Sequence, residues 1–287
     1  MPELPEVEIV KRSLLRIANK AKIKDIKVSN KKLRYKISND FSEQLINEKI
    51  IKITRRSKYL IFHFKEKILL LHLGMTGKLL VLRKKDNEIF KTSFYYDLNI
   101  LPQHNHVYFF LNNGFVLIYN DVRRFGYFKY YFKKKINEIN FLKKLGPEPL
   151  GNRFNYEYFK NFIKRKKKNI KSLLMDQTFV SGLGNIYVNE ALFMTKINPL
   201  KACCNLDTKD INQLIKNIKS ILRKSIKSGG STIRDFKNSS GKSGSFQQFF
   251  KVYGRKNKKC SRISCSGKIN KILIQNRATF YCFDCQT

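Results

Sequence analysis

Four cysteines near the carboxyl end constrain the fold of this chain more than any other feature. Four residues separate Cys260 from Cys265, sixteen separate Cys265 from Cys282, and two separate Cys282 from Cys285. Thiolates at such spacings suit one tetrahedral Zn2+ in a ribbon of two short hairpins. Two disulfides or unrelated buried thiols are the competing readings, and the ligand spacing favours the metal. Lys268 to Ile274 and Thr279 to Phe283 are the expected strands, with Gln275-Asn276-Arg277-Ala278 as the turn. The other two cysteines, Cys203 and Cys204, are adjacent, have no second ligand pair nearby and read as packing residues.

The other end of the chain begins Met1-Pro2-Glu3-Leu4-Pro5-Glu6-Val7-Glu8. Removal of Met1 would turn the Pro2 ring nitrogen into a free secondary amine. An α-amino group titrates at roughly 7.7 to 8.0, so a useful fraction is unprotonated near neutral pH and can attack a sugar carbon, collapsing to an iminium. Glu3 stands beside it as a proton carrier. The structural alternative is that Pro2 and Pro5 only pre-set φ where a helix starts, with Glu6 and Glu8 complementing its dipole.

Fifty-nine Lys and Arg against twenty-one Asp and Glu leave a formal net charge of +38, which points to a polyanionic partner, and nucleic acid is the natural candidate. Lys, Asn and Ile are abundant even between motifs, so the total overstates the contact surface. The chain has room for two domains. No run approaches the roughly 20 apolar residues of a membrane span, and no signal peptide is evident. A cytoplasmic protein with reduced thiols and no membrane partner is expected.

From Pro5 to about Lys20 the pattern is one helix, with Val7, Val10, Leu14 and Ile17 on a face. Short β-branched or aromatic strands follow at 23–28, 49–54, 59–64, 68–72, 78–82, 106–111, 115–120 and 127–132, the signature of a β-sandwich. Beyond Gly146-Pro147-Glu148-Pro149 the pattern turns helical. Ile211, Leu214, Ile215, Ile218, Ile221, Leu222 and Ile226 recur at three and four residues, behind Asp207 or Thr208 as cap and ahead of Gly229-Gly230 as stop. The run Lys164-Arg165-Lys166-Lys167-Lys168 reads as a solvated face that adds diffuse attraction to phosphates.

Six ordered motifs give the chain a resemblance along essentially its whole length. They are Pro2-Glu3-Leu4-Pro5-Glu6-Val7-Glu8, Arg55-Arg56-Ser57-Lys58-Tyr59-Leu60, Leu71-His72-Leu73-Gly74-Met75-Thr76-Gly77, Asp121-Val122-Arg123-Arg124-Phe125-Gly126, Gly182-Leu183-Gly184-Asn185-Ile186-Tyr187, and the cysteine ribbon ending in Cys285-Gln286. Together they resemble the bacterial formamidopyrimidine-DNA glycosylase family of base-excision repair, which excises 8-oxoguanine and ring-opened purines.

The resemblance implies an α+β chain of two domains. An N-terminal β-sandwich with flanking helices (1–135) is expected to carry catalysis. A linker (136–150) leads to a helix-two-turns-helix DNA-binding domain with a lesion-capping loop (151–244), and a zinc ribbon (245–287) closes the chain.

The resemblance further implies a bifunctional glycosylase and abasic-site lyase, working as a monomer on double-stranded DNA with oxidised purines or abasic sites. Pro2 and Glu3 are then the catalytic pair. Lys58 and Arg277 serve the same centre as cations gripping the phosphates beside the everted sugar. Because a base must leave the stack to be excised, Met75 plugs the gap, Arg123 faces the orphaned cytosine with its paired donors, and Phe125 wedges the neighbouring step. Asn185 contacts a phosphate from the turn of the helical motif, and His104 lies near the DNA backbone. The loop from Ser231 to Gly244 caps the lesion.

Two features depart from the family pattern: four residues rather than two between Cys260 and Cys265, and a long segment from Arg83 to Asn105. The alternatives are an endonuclease VIII-type enzyme for oxidised pyrimidines and a non-catalytic zinc-containing nucleic-acid binder.

Overall fold

Helix α1 (Leu4–Leu15) opens the chain and buries Val7, Val10 and Leu14 on one face. It stops short of the expected end because the N–H groups of Ile17 and Ala18 both turn back to the Leu14 carbonyl, and Lys20 adopts φ 64°. The computed structural model describes residues 2–83, 89–90, 101–134, 139–231 and 245–287. Met1, most of the segment between Arg83 and Leu101, and the expected capping loop at 232–244 lie outside the described residues.

The chain divides into two compact units, Met1–Lys143 with Ser228–Gln247, and Lys144–Lys227 with Gln248–Thr287. Residues 228–231, which follow the long helix, fall in the first unit. Ser231 is the physical reason, since its N–H and hydroxyl both bond the buried Glu6 carboxylate.

After α1 the first unit runs β1 (Ile23–Val28), α2 (Phe41–Leu45), β2 (Lys52–Arg56), β3 (Tyr59–His63), β4 (Lys67–His72), β5 (Lys78–Arg83), β6 (Ile89–Phe90), β7 (Asn105–Leu111), β8 (Phe115–Asn120), β9 (Tyr127–Phe132) and α3 (Asn140–Lys143). Two antiparallel sheets result, ordered β1-β7-β8-β5-β6 and β2-β3-β4-β9. Leu60, Phe62, Leu69, Leu71 and Phe128 of the second sheet share one core with Leu79, Val81, Val107, Phe109, Leu117 and Tyr119 of the first. This is the expected sandwich, and each such side chain contributes about 1.5–3 kcal/mol by leaving water. Ile61, Ile68 and Leu70, on the outer face of the second sheet, pack with Ile139 under Phe141 and Leu142. Both faces of β3 and β4 are therefore covered, which is why these strands read as continuous apolar runs.

The second unit contains α4 (Tyr156–Ile163), α5 (Ile170–Leu174), α6 (Asn185–Thr195), α7 (Thr208–Lys227), β10 (Ile269–Ile274) and β11 (Arg277–Cys282). Asp207 caps α7, its carboxylate accepting the Asp210 N–H at 2.6 Å. The Tyr187 and Ser225 hydroxyls, 2.6 Å apart, tie α6 to α7. The hairpin differs from its expected form. Its turn is only Gln275-Asn276, at φ 50° and 58°, a primed turn that matches strand twist. Arg277 and Ala278 consequently belong to β11, paired with Ile274 and Leu273. Among the described residues, no helix is long and apolar enough to cross a membrane.

Candidate active site and nucleic-acid interface

At the amino end, Pro2 is buried and Glu3, 3% exposed, is the N-cap of α1. The Glu3 N–H donates to Glu6 Oε2 at 2.9 Å, one arm of a capping box that fixes the chain's direction at Pro2. Glu8, two residues further, carries charge of a different use. Burial alone would push its carboxyl up, but hydrogen bonds and charges from Lys11 and Arg55 outweigh that and hold it below the usual range. Glu8 Oε2 accepts from Arg55 Nε at 3.0 Å, and Arg55 Nη1 donates to the Ser57 carbonyl at 2.9 Å. This chain of contacts braces the Ser57-Lys58 turn between β2 and β3, where Ser57 takes φ 56° and Lys58 is buried.

Pairing dictates where Met75, Arg123 and Phe125 must lie. Strand β4 pairs with β9 and β5 with β8, with His72 opposite Tyr127 and Lys78 opposite Asn120. The connections β4–β5 and β8–β9 both cross from one sheet to the other, so they run side by side at one end of the sandwich. The first presents Met75, 40% exposed, and the second presents Phe125, 41% exposed, with the Arg123 guanidinium 4.5 Å from the Phe125 ring centre. Exposed apolar tips on tightly held loops are an energetic cost that packing does not explain. His104 ends a 3-10 turn (Pro102–His104) beside the same connections, and its carbonyl accepts the Asp121 N–H at 3.0 Å.

His72 supports the first loop. Its Nδ1 accepts the Gly74 N–H at 3.0 Å, and its ring stacks on Tyr127. Burial pushes its pKa down to about 4, with the charges of Lys58 and Arg34 adding to the effect, so the ring is neutral and Nδ1 keeps its lone pair.

In the second unit, Gly182 takes φ 89°, a conformation other residues adopt only under strain. Gln177 holds this turn from both sides, accepting the Gly182 N–H at 2.8 Å and donating to the Leu183 carbonyl at 2.9 Å. Asn185 begins α6 there, and its Nδ2 donates to the Ala278 carbonyl at 2.8 Å, next to Arg277. Asn189, one helical turn on, accepts the Phe280 N–H at 2.7 Å. Helix α6 thereby fixes the start of β11, and Asn185 and Arg277 come together although 92 positions separate them in the numbering.

Sequence reasoning missed Lys171 at this place. Its side chain is 1% exposed, and its Nζ donates to Thr279 Oγ1 at 2.5 Å and lies 3.4 Å from the Ala278 carbonyl. Burial, with the Arg277 charge second, brings its pKa down to about 8. The available signal was a lysine among Ile170, Leu173 and Leu174 in the short helix Ile170-Lys171-Ser172-Leu173-Leu174. Glu190 was also unmarked; it is buried and accepts the N–H groups of Lys251, Val252 and Tyr253, anchoring the segment that leads into the ribbon.

The four ribbon cysteines are free thiols whose sulfurs all lie within 4.8 Å of one another. Cys265 and Cys282 are 3.6 Å apart, and Cys260 and Cys285 3.9 Å. Tetrahedral Zn–S bonds of about 2.3 Å place sulfurs roughly 3.8 Å apart, so these four residues could hold a metal ion. Gln286 steadies the closing pair by accepting the Cys282 N–H at 2.9 Å and donating to the Ile197 carbonyl at 2.8 Å.

Known proteins bear on this arrangement in three ways. Residues 1–128 match the formamidopyrimidine-DNA glycosylase N-terminal domain, and residues 145–237 match the formamidopyrimidine-DNA glycosylase H2TH domain. The formamidopyrimidine-DNA glycosylase of Bartonella tribocorum is 39% identical over 297 residues, covering all of both chains. That of Rickettsia bellii is 41% identical over 287 residues, covering 100% of this chain and 99% of its own. Among solved structures, a Lactococcus lactis Fpg variant in complex with Fapy-dG-containing DNA superposes with a TM-score of 0.87 at 35% identity over the full length of both chains. The Lactococcus lactis protein with abasic-site DNA gives 0.85 at 35% identity over 99% of both. With end-to-end similarity at this level and both domains matched, the chain belongs to the formamidopyrimidine-DNA glycosylase family.

Proposed function

We propose that this protein is a base-excision repair glycosylase that removes oxidised purines from duplex DNA and then cleaves the strand as an abasic-site lyase. The observation that carries the reading is the Pro2-Glu3 pair, held in one direction by the capping box at the start of α1. Its support from relatives is that neighbours of this fold were crystallised on DNA containing Fapy-dG or an abasic site. The formal charge of +38 suits the same partner.

In this reading the Pro2 nitrogen, free once Met1 is removed, forms a bond to C1′ of the everted nucleotide. The base departs with the electron pair of the N-glycosidic bond. Glu3 takes the proton from the Pro2 nitrogen as that bond forms and returns it to the ring oxygen as the C1′–O bond breaks and the sugar opens, leaving an iminium between Pro2 and C1′, while the departing base is protonated by solvent. The cation acidifies the C2′ hydrogen; its loss expels the 3′ phosphate, and a second elimination expels the 5′ phosphate, leaving a one-nucleotide gap. Lys58, Arg277, Asn185 and His104 bind phosphates around that nucleotide. Met75 fills the vacated stack, Arg123 reads the opposite base, and Phe125 props the adjoining step. Cys260, Cys265, Cys282 and Cys285 would hold one zinc ion, whose contribution is to clamp the hairpin carrying Arg277.

The test is base release from duplexes carrying 8-oxoguanine opposite each of the four bases, with a thymine glycol duplex alongside. The expected result is fastest release opposite cytosine, with slow action opposite adenine and on thymine glycol. Equal rates against all four partners would remove the Arg123 role, and preference for thymine glycol would move the chain to the pyrimidine-specific branch.

A further inference from the structure

We infer that Asp121, which the reading above leaves without a task, is a positioning residue that locks the Met75 loop and the Arg123–Phe125 turn into one rigid reading head. The proposal rests on the functional reading just given. It adds that opposite-base discrimination depends on a carboxylate that touches no nucleotide.

Asp121 follows the last residue of β8 and is completely buried. Its Oδ1 accepts the Thr76 hydroxyl at 2.5 Å and the Arg123 N–H at 3.3 Å. Its Oδ2 accepts the Tyr119 hydroxyl at 2.9 Å and the Gly126 N–H at 2.8 Å. One carboxylate thus bonds the residue after Met75, the backbone of Arg123 and the residue after Phe125. The Thr76 hydroxyl also accepts the Arg123 N–H at 3.2 Å, closing a ring between the two loops. The Asp121 backbone is pinned as well. Its N–H donates to the His104 carbonyl at 3.0 Å, and its carbonyl accepts from His106 Nε2 at 2.8 Å and the Arg124 N–H at 3.2 Å.

An independent feature agrees. A Cβ on Gly74, already at φ 67°, would come within 2.4 Å of the Gly126 nitrogen, and one on Gly126 within 1.7 Å of the Tyr119 hydroxyl. At Gly74 and Gly126 the two loops are in direct backbone contact, and the Tyr119 hydroxyl packs against Gly126 and against Gly77 of the first loop. A plug, a base reader and a wedge must enter a duplex at the spacing of successive bases, and a shared buried anion acceptor fixes that spacing before DNA arrives.

All four groups facing the carboxylate are donors, which makes the amide variant informative. Asp121→Asn keeps size and shape but turns an N–H2 group toward two of them; the Thr76 or Tyr119 hydroxyl on that side can rotate to accept from it, but the backbone N–H of Arg123 or of Gly126 there loses its acceptor and faces another donor. The experiment measures single-turnover 8-oxoguanine release opposite cytosine and opposite adenine, together with borohydride trapping on a preformed abasic duplex, for wild type, Asp121→Asn, Thr76→Val and Thr76→Ser. Asp121→Asn should lower the cytosine-over-adenine ratio by about tenfold or more, the effect of losing buried hydrogen bonds to a charged acceptor, while abasic trapping stays near wild type. Thr76→Val should lower the ratio less, and Thr76→Ser, which keeps the hydroxyl, should restore it.

Asp121→Asn that traps normally and discriminates as wild type overturns the proposal. Should Asp121→Asn fail to fold and so fail to trap, Thr76→Val decides, and an unchanged ratio in that variant also overturns it. A wild type that neither traps nor excises 8-oxoguanine refutes the functional reading, and this inference falls with it.

Discussion

The carboxylate of Glu6 in α1 accepts both the N–H and the hydroxyl of Ser231, each at 2.9 Å, across 225 positions of sequence. Its other oxygen accepts the Glu3 N–H at 2.9 Å. The carboxylate therefore holds the turn carrying the candidate catalytic pair against the start of the segment expected to cap the lesion. Glu6→Ala leaves three buried donors without an acceptor and should lower stability by about 2–4 kcal/mol. Glu6→Gln retains one acceptor and should cost about half as much. Urea denaturation of the three proteins measures this, and base release should slow in the same order.

The ribbon makes a second prediction. Cys282 is fully buried and Cys260 and Cys265 nearly so, so once metal is removed their thiols have no comparable partner. A strong zinc chelator should release one metal ion per chain, expose the four ribbon thiols to a thiol reagent, and weaken duplex binding by about tenfold or more as the hairpin loses its base. Cys282→Ser should reproduce the binding loss. The sandwich has its own core and should keep its circular dichroism.

Lys171 predicts a pH dependence. Burial and the neighbouring Arg277 bring its pKa down to about 8 in the folded protein, whereas an unfolded lysine keeps its proton to about 10.4. Between those values the unfolded chain binds more protons, so stability rises with pH across that window and is flat on either side of it. Duplex affinity should move the other way, falling above about pH 8 as the cation beside Arg277 is lost. Measured against Lys171→Met, wild type should show a rising urea midpoint and a falling affinity between pH 8 and 10. Parallel profiles for the two proteins would mean that the lysine does not titrate there.

Much of the fold was legible because its signals are local. Strands β1, β8 and β9 have their expected limits, set by β-branched and aromatic content and by turns such as Asn112-Asn113-Gly114. β2 begins at Lys52 rather than Lys49 because Ile50 bonds the segment after α1 and not β3: its N–H donates to the Ala21 carbonyl and its carbonyl accepts the Lys20 N–H. Arg277 was placed in the turn because no local signal distinguishes a two-residue primed turn lacking glycine from a longer one.

At the site, the exposed residues Met75, Arg123 and Phe125 could be named from motifs, whereas the buried groups behind them could not. Asp121 meets Thr76 45 positions away, and Lys171 meets Thr279 108 positions away. Such pairings exist only once the sheets have closed and the hairpin has docked on α6. A single buried carboxylate or lysine carries no periodicity that would reveal its partner.

The central claim is that the imino nitrogen of Pro2 attacks the sugar. Borohydride reduction of the protein mixed with an 8-oxoguanine duplex, followed by peptide mapping of the adduct, tests it most directly. The account predicts one covalent protein–DNA species linked through Pro2, absent from protein that retains Met1 and strongly reduced in Pro2→Gly. An adduct on an internal lysine, or equal trapping and cleavage by Pro2→Gly, would contradict it.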